Sequence, residues 1–204
     1  MDFDTLAALA AIAVSMTWTP GPNNTMLTAS GANFGWRRTL PHAMGVSVGF
    51  PVMLIAVSLG LGGLFAAEPR IATALTWIGF AAMLYFSWKI ATADASRAES
   101  RSRPLTFTEA SAFQWINPKA WTFAIWVSAT YAAGTAALSN ILVAAIVFLV
   151  SGLGSSQTWT LFGTVIGHLL GTGWKLRAFN IAMAVLLAVS AVWLTFGFGT
   201  ATEN

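Results

Sequence analysis

The feature that most constrains this chain is an apolar stretch interrupted near residue 20 by Thr19-Pro20-Gly21-Pro22-Asn23-Asn24, matched by Asn117-Pro118-Lys119 in a later stretch. Proline withholds a backbone donor and clashes with the preceding turn, so neither stretch can be one regular helix. In hydrocarbon, the amides and carbonyls freed by such a break must find partners in protein, water or a solute. Pro-interrupted apolar segments in both halves of a membrane chain point to a solute site near the bilayer midplane.

The membrane reading rests on composition. The chain is 56% hydrophobic and 8% charged, with a mean hydropathy of +0.70, whereas soluble domains carry about 25% charged residues. Six segments of about 20 residues or more can be drawn, near residues 5–31, 40–66, 71–91, 110–133, 139–170 and 178–199. The expected fold is therefore an all-α integral membrane protein with six transmembrane helices, of which the first and fourth are broken. It forms one domain, 1–204, whose halves, about 1–91 and 108–204, are joined by a polar loop at 92–107. Three crossings per half give the halves opposite orientations, as a 3+3 inverted repeat requires.

Charge sets the orientation. Of ten Lys and Arg, Arg37, Arg38, Lys89, Arg97, Arg101, Arg103, Lys175 and Arg177 fall in alternate loops, while only Arg70 falls on the other side. The positive-inside rule makes the crowded side cytoplasmic and places both termini outside. Basic residues scattered in this way explain a pI near 9.8 without nucleic acid. Trp36, Trp88 and Trp174 each precede a cation at an expected cytoplasmic helix end and suit interfacial anchoring. The N-terminus opens Met1-Asp2-Phe3-Asp4, acidic where a cleavable signal peptide is basic. With no cysteine, disulfides and thiolate metal sites are excluded. The residues imply no cofactor and no metal.

The candidate site residues follow from the breaks. Asn23 and Asn24 each donate and accept hydrogen bonds beside backbone unpaired by Pro20 and Pro22. New helix N-termini attract carboxylates and exposed C-terminal carbonyls attract ammonium groups, the charge pattern of a free amino acid. Alternatively, the prolines kink the segment for packing and the asparagines cap the break. Lys119 is the one charge well inside an expected span, where it costs about 2.5–3.5 kcal/mol unless partnered or snorkelling. Gln114 and Gln157 either line the same cavity or bond between helices. Glycines at 45 and 49, and at 163, 167 and 171, make small-residue strips for close helix contact. Glu109, His42 and His168 are the candidates for proton coupling, both histidines falling near expected cytoplasmic ends. Ser30 with His168 would be the pair of an intramembrane protease, and a small channel is the other competing class.

At its two broken elements, TPGPNN and WINPKAW, the chain resembles the LysE/RhtB superfamily of bacterial amino-acid exporters, whose members carry Pro-Gly-Pro-Asn/Asp in the first helix and Asn-Pro-Lys after the central loop. The likeness extends to Trp36-Arg37-Arg38, Trp88-Lys89-Ile90-Ala91 and Gly167-His168, and is nearest to the branch of cysteine/O-acetylserine exporters. It implies inner-membrane efflux of a small neutral amino acid, coupled to the proton motive force. The matching motif positions Pro20, Gly21, Pro22, Asn23, Asn117, Pro118 and Lys119 take a substrate-site role from this resemblance; Asn24 and Gln114 are added from the residues themselves. Where relatives have Asp in the first motif this chain has Asn23, so a proton relay through that carboxylate is absent. The expected partners are the solute, membrane lipid and, for so small a bundle, a second copy of the chain.

Overall fold

The computed structural model describes residues 1–93, 103–131 and 137–197. Arg97 and Arg101, assigned from sequence to the cytoplasmic loop, lie outside the described residues. Every element among those described is helical: α1 (Phe3–Trp18), α2 (Pro22–Phe34), α3 (Trp36–Ala56, followed at Val57–Leu61 by a turn kinked at Gly60, φ +129°), α4 (Gly62–Ala67), α5 (Pro69–Ala91), α6 (Phe107–Gln114), α7 (Pro118–Tyr131), α8 (Ala137–Leu170) and α9 (Trp174–Val192, prolonged by a π-turn at Trp193–Gly197). Among the described residues, Trp36–Leu61, Pro69–Ala91, Ala137–Leu170 and Trp174–Gly197 are the four helices long and apolar enough to cross a membrane. The other two expected segments coincide with helix pairs, α1 with α2 and α6 with α7. At 1.5 Å per residue, α1 and α2 reach only about 24 and 20 Å, and α6 and α7 about 12 and 21 Å, against a hydrocarbon core of about 30 Å.

Chain chemistry accounts for the boundaries. Asp2 caps α1 by accepting from the Thr5 amide at 2.8 Å. Pro22 and Pro118 occupy first-turn positions of α2 and α7, where a missing N–H costs nothing. Thr106 and Glu109 form a reciprocal capping box that starts α6. Gly171, at φ +64°, ends α8 in the left-handed conformation that favours glycine.

The long α8 is the spine. Thr28 meets Gly163 and Ala32 meets Gly167 backbone to side, with no room for even a Cβ, so α2 lies along α8 in the same direction. Gly45 and Gly49 press in the same way against Phe107, Ala110 and Ser111, laying α3 alongside α6. Close approach thus accounts for four of the expected strip glycines. Gly171 is the exception, because a Cβ there would meet nothing within 4 Å. On the opposite side α5 and α9 run antiparallel, Ser87 donating to the Ala184 carbonyl at 2.6 Å while Trp77 and Phe80 stack edge-on against Phe196.

Two apolar clusters result. One joins α1, α3, α7 and α8 through residues such as Leu9, Met53, Val127 and Phe148, and the other joins α2, α5, α6 and α9 through Met26, Met83, Phe113 and Leu187. Between α8 and the α5–α9 pair lies α2, whose residues Asn24–Gly31 are all buried although the helix is rich in Asn, Thr and Ser. Buried polar groups must be paired or solvated, so this helix is where a polar interior is concentrated.

Candidate functional site

The two breaks meet at one cavity of about 60 Å³, bounded by the end of α1, the start of α2, α3, the α6–α7 junction and α8. At about 10–15 Å³ per enclosed water, it has room for roughly four to six waters. Of the residues expected from sequence, Gly21, Pro22, Asn23, Asn24, Gln114, Asn117 and Lys119 line it. Pro20 is exposed beside the break. Pro118 opens α7 and faces a different cavity, with Ile116 and Trp121.

The first break is closed by side chains. Asn24 Nδ2 donates to the carbonyls of Thr17 and Thr19, each at 2.8 Å, and Ser155 Oγ donates to the Thr17 carbonyl at 2.6 Å. Both Asn24 donors are therefore spent on capping α1, the structural role left open by the sequence. At the facing end, α2 begins at Gly21 with no side-chain cap, which leaves a positive helix terminus against the cavity. Asn23 and Gln114 join the two breaks: Asn23 Nδ2 donates to Gln114 Oε1 at 2.8 Å and Gln114 Nε2 donates to Asn23 Oδ1 at 3.3 Å. Gln114, 1% exposed, is further fixed by donating to the Ala110 carbonyl at 2.9 Å.

At the second break the Lys119 amide donates to Asn117 Oδ1 at 3.1 Å, so Asn117 caps α7 and leaves its amide nitrogen without a partner among the described residues. Lys119 Nζ reaches Thr19 Oγ1 at 2.9 Å across 100 positions of chain. Its methylenes and ammonium lie against Gly21, where a Cβ would stand 3.2 Å from Nζ. No carboxylate opposes this half-buried ammonium among the described residues. The cavity thus gathers one uncompensated cation, the uncapped N-terminus of α2 and the N-terminus of α7.

Sequence reasoning missed the hydroxyl wall. Ser47 and Ser156 share a 2.7 Å hydrogen bond, Thr17 and Ser151 another at 2.7 Å, and Thr17, Ser47, Ser155 and Ser156 all line the cavity. The available signal was Ser151-Gly152-Leu153-Gly154-Ser155-Ser156, a small polar run inside an apolar helix. Phe50 and Phe148, with centroids 5.0 Å apart, close the apolar side.

The remaining candidates lie elsewhere. Gln157 accepts from Trp36 Nε1 at 2.7 Å and bonds two helices. Trp88 and Trp174 are exposed, 63% and 76%, as anchors would be. Glu109, ahead of the fourth apolar segment, is clamped by Arg103 through two 2.6 Å hydrogen bonds. Those bonds and the Thr106 amide hold its carboxyl down at about 2. His168 is exposed on α8. His42 is buried within the first two turns of α3, 2% exposed. Ser30 shares its hydroxyl with Thr39 at 3.1 Å, and no hydrogen bond joins it to His168. Among the described residues no three potential ligands gather to hold a metal.

Comparison with known proteins adds a second kind of observation. Residues 14–197 match the family model described as LysE type translocator. The chain is 30% identical over 177 residues to the cysteine/O-acetylserine efflux protein of Salmonella typhimurium strain LT2, covering 85% of this chain and 89% of that one. It is 27% identical over 175 residues to the protein of the same description from Escherichia coli strain K12, with the same shares covered. No solved structure gives a significant match.

Proposed function

Because the chain belongs to the LysE type translocator family, we propose that it is a secondary transporter exporting a small neutral amino acid or derivative across the bacterial inner membrane, driven by the proton motive force. The observation carrying this reading is the convergence of both broken elements on one cavity with an uncompensated Lys119. Lys119 and two helix N-termini suit a carboxylate. The Asn24 side-chain oxygen and the serine hydroxyls supply acceptors for an ammonium group. The cysteine/O-acetylserine description of the relatives agrees with a compact cavity whose polar wall is made of hydroxyls and amides.

The topology we propose has six crossings in a 3+3 inverted arrangement with both termini outside. Helix directions support it: α2 parallel to α8, α3 parallel to α6, and α5 antiparallel to α9 all follow from a chain that alternates at every crossing. Substrate would bind between the broken elements, and alternate opening on the two sides would carry it through. Separation of α1–α2 from α6–α7 would require exchange of the Asn23–Gln114 pair for contacts with solute. Glu109, pinned as an ion by Arg103, is poorly placed to carry a proton near neutrality, which leaves the histidines or the solute itself for coupling.

Counterflow in proteoliposomes tests the reading. Vesicles loaded with one unlabelled solute are assayed for uptake of labelled cysteine, O-acetylserine, homoserine, threonine or lysine, with and without a pH gradient. Saturable exchange of at least one solute is expected, with gradient dependence reporting the coupling. Non-saturating flux without exchange would favour a channel, and no flux from folded protein would remove the carrier reading.

A further inference from the structure

A second cavity, of about 80 Å³, opens between α2, α3, α5 and the strand of chain at Arg103–Leu105. Its α2 wall is formed by Met26, Ala29, Ser30 and Asn33, a three-and-four spacing that puts them on one helix face. Asn23 and Asn24, at the start of the same helix, line the central cavity, so the two spaces are separated by about 10 Å along α2. Lys89 and Arg103, both on the side assigned as cytoplasmic by charge, stand at the mouth of the second cavity.

Three features there remain unaccounted for by the central site. His42 lines the cavity while its Nδ1 is buried without a hydrogen-bond partner, a condition that native interiors normally avoid by supplying water or a ligand. Lys89 Nζ lies 5.5 Å from the Tyr85 ring centroid and has no carboxylate partner among the described residues. The wall between these polar groups is apolar, formed by Met26, Phe86 and Leu105. Arg103 is already neutralised by Glu109, and no carboxylate lines the space, so its one uncompensated charge is positive.

A ligand matching this arrangement has an anionic head for Lys89, a second polar group for the enclosed imidazole and a short body between them. We infer that the cavity bounded by His42, Lys89 and the Met26–Asn33 face of α2 is a second binding site for a carboxylate-bearing amino acid, which collects solute on the cytoplasmic side before it reaches the central cavity. The inference rests on the transport reading. Both sites offer the same chemistry: a lone lysine ammonium, hydrogen-bonding groups and an apolar wall.

Equilibrium binding of labelled O-acetylserine to the full chain in lipid nanodiscs tests this. The wild type is expected to bind two equivalents in a tight and a weaker phase. Lys89→Gln, at an exposed position, should weaken one phase about tenfold and leave the other unchanged. His42→Leu should do the same, whereas Lys119→Gln should affect the complementary phase. One equivalent in the wild type, or wild-type titration curves for both Lys89→Gln and His42→Leu, would overturn the second site. If the wild type exchanges O-acetylserine in counterflow yet binds one equivalent, only this inference falls. Absence of both binding and exchange for every amino acid tried would remove the transport reading along with it.

Discussion

Replacing Asn24 by alanine separates the capping role of that residue from a direct role in solute binding. Its amide nitrogen donates to two carbonyls at the end of α1, each hydrogen bond contributing about 0.5–1.5 kcal/mol net. The Thr17 carbonyl keeps its bond from Ser155, and Thr19 is exposed, so its carbonyl can turn to water. No further desolvation penalty is due. Asn24→Ala should therefore destabilise by about 1–3 kcal/mol, and a loss near 2 kcal/mol should lower Tm by about 4–8 °C for a chain of this size. Asn24→Asp should be worse, because a carboxylate would face two carbonyls it cannot donate to. Pairing Asn24→Ala with Ser155→Ala should exceed additivity, since the Thr17 carbonyl then loses both donors. Thermal unfolding of purified protein in detergent reads all four. A wild-type Tm for Asn24→Ala together with tolerance of Asn24→Asp would refute the capping assignment.

Asn117→Ala and Lys119→Gln should each reduce counterflow at least about tenfold while the protein stays folded and membrane-inserted, since they remove the groups that suit a carboxylate; normal exchange by both would remove the site. Gly163→Ala should destabilise by about 1–3 kcal/mol, because its Cβ would run into the Thr28 backbone. Gly63→Ala, within α4 and with open space around it, should cost nothing and stabilise by up to about 1 kcal/mol in the same thermal assay. Glu109 predicts an acid effect: a carboxyl held at about 2 against an ordinary 4.5 stabilises the fold above about pH 4.5, and that contribution is lost as pH falls towards 2. With the pair exposed to solvent, the effect is about 1 kcal/mol or less. Glu109→Gln should flatten the stability profile across that window, and an unchanged profile would count against the Arg103 clamp.

Much of the architecture was legible in the residues. A missing backbone donor is a local property of proline, so the breaks at 20–22 and 118 and the restarts at Pro22 and Pro118 could be placed from sequence, although Pro41 and Pro51 stand inside α3 without ending it. Apolar length located the helical segments to within a few residues for the same reason. Partner choice was not legible. Asn23 and Asn24 are the same residue type at adjacent positions, yet one pairs with Gln114 across 91 residues while its neighbour turns back to cap α1. Gln114 and Gln157 looked equivalent, but only the first faces the cavity.

What the sequence determined by itself is local: where backbone donors are missing, which stretches are apolar enough to prefer a membrane, and which loops carry the cations. The tertiary structure decided which polar groups are neutralised. It spent Glu109 on Arg103, sequestered His42 beside a second cavity, and assembled a hydroxyl wall from three separate helices. It also left Lys119 and Lys89 without opposing carboxylates among the described residues. The physical reason is that secondary structure follows from each residue's own backbone and hydropathy, whereas the availability of a polar side chain depends on what lies within about 3 Å of it, and for these residues that neighbour comes from a distant part of the chain.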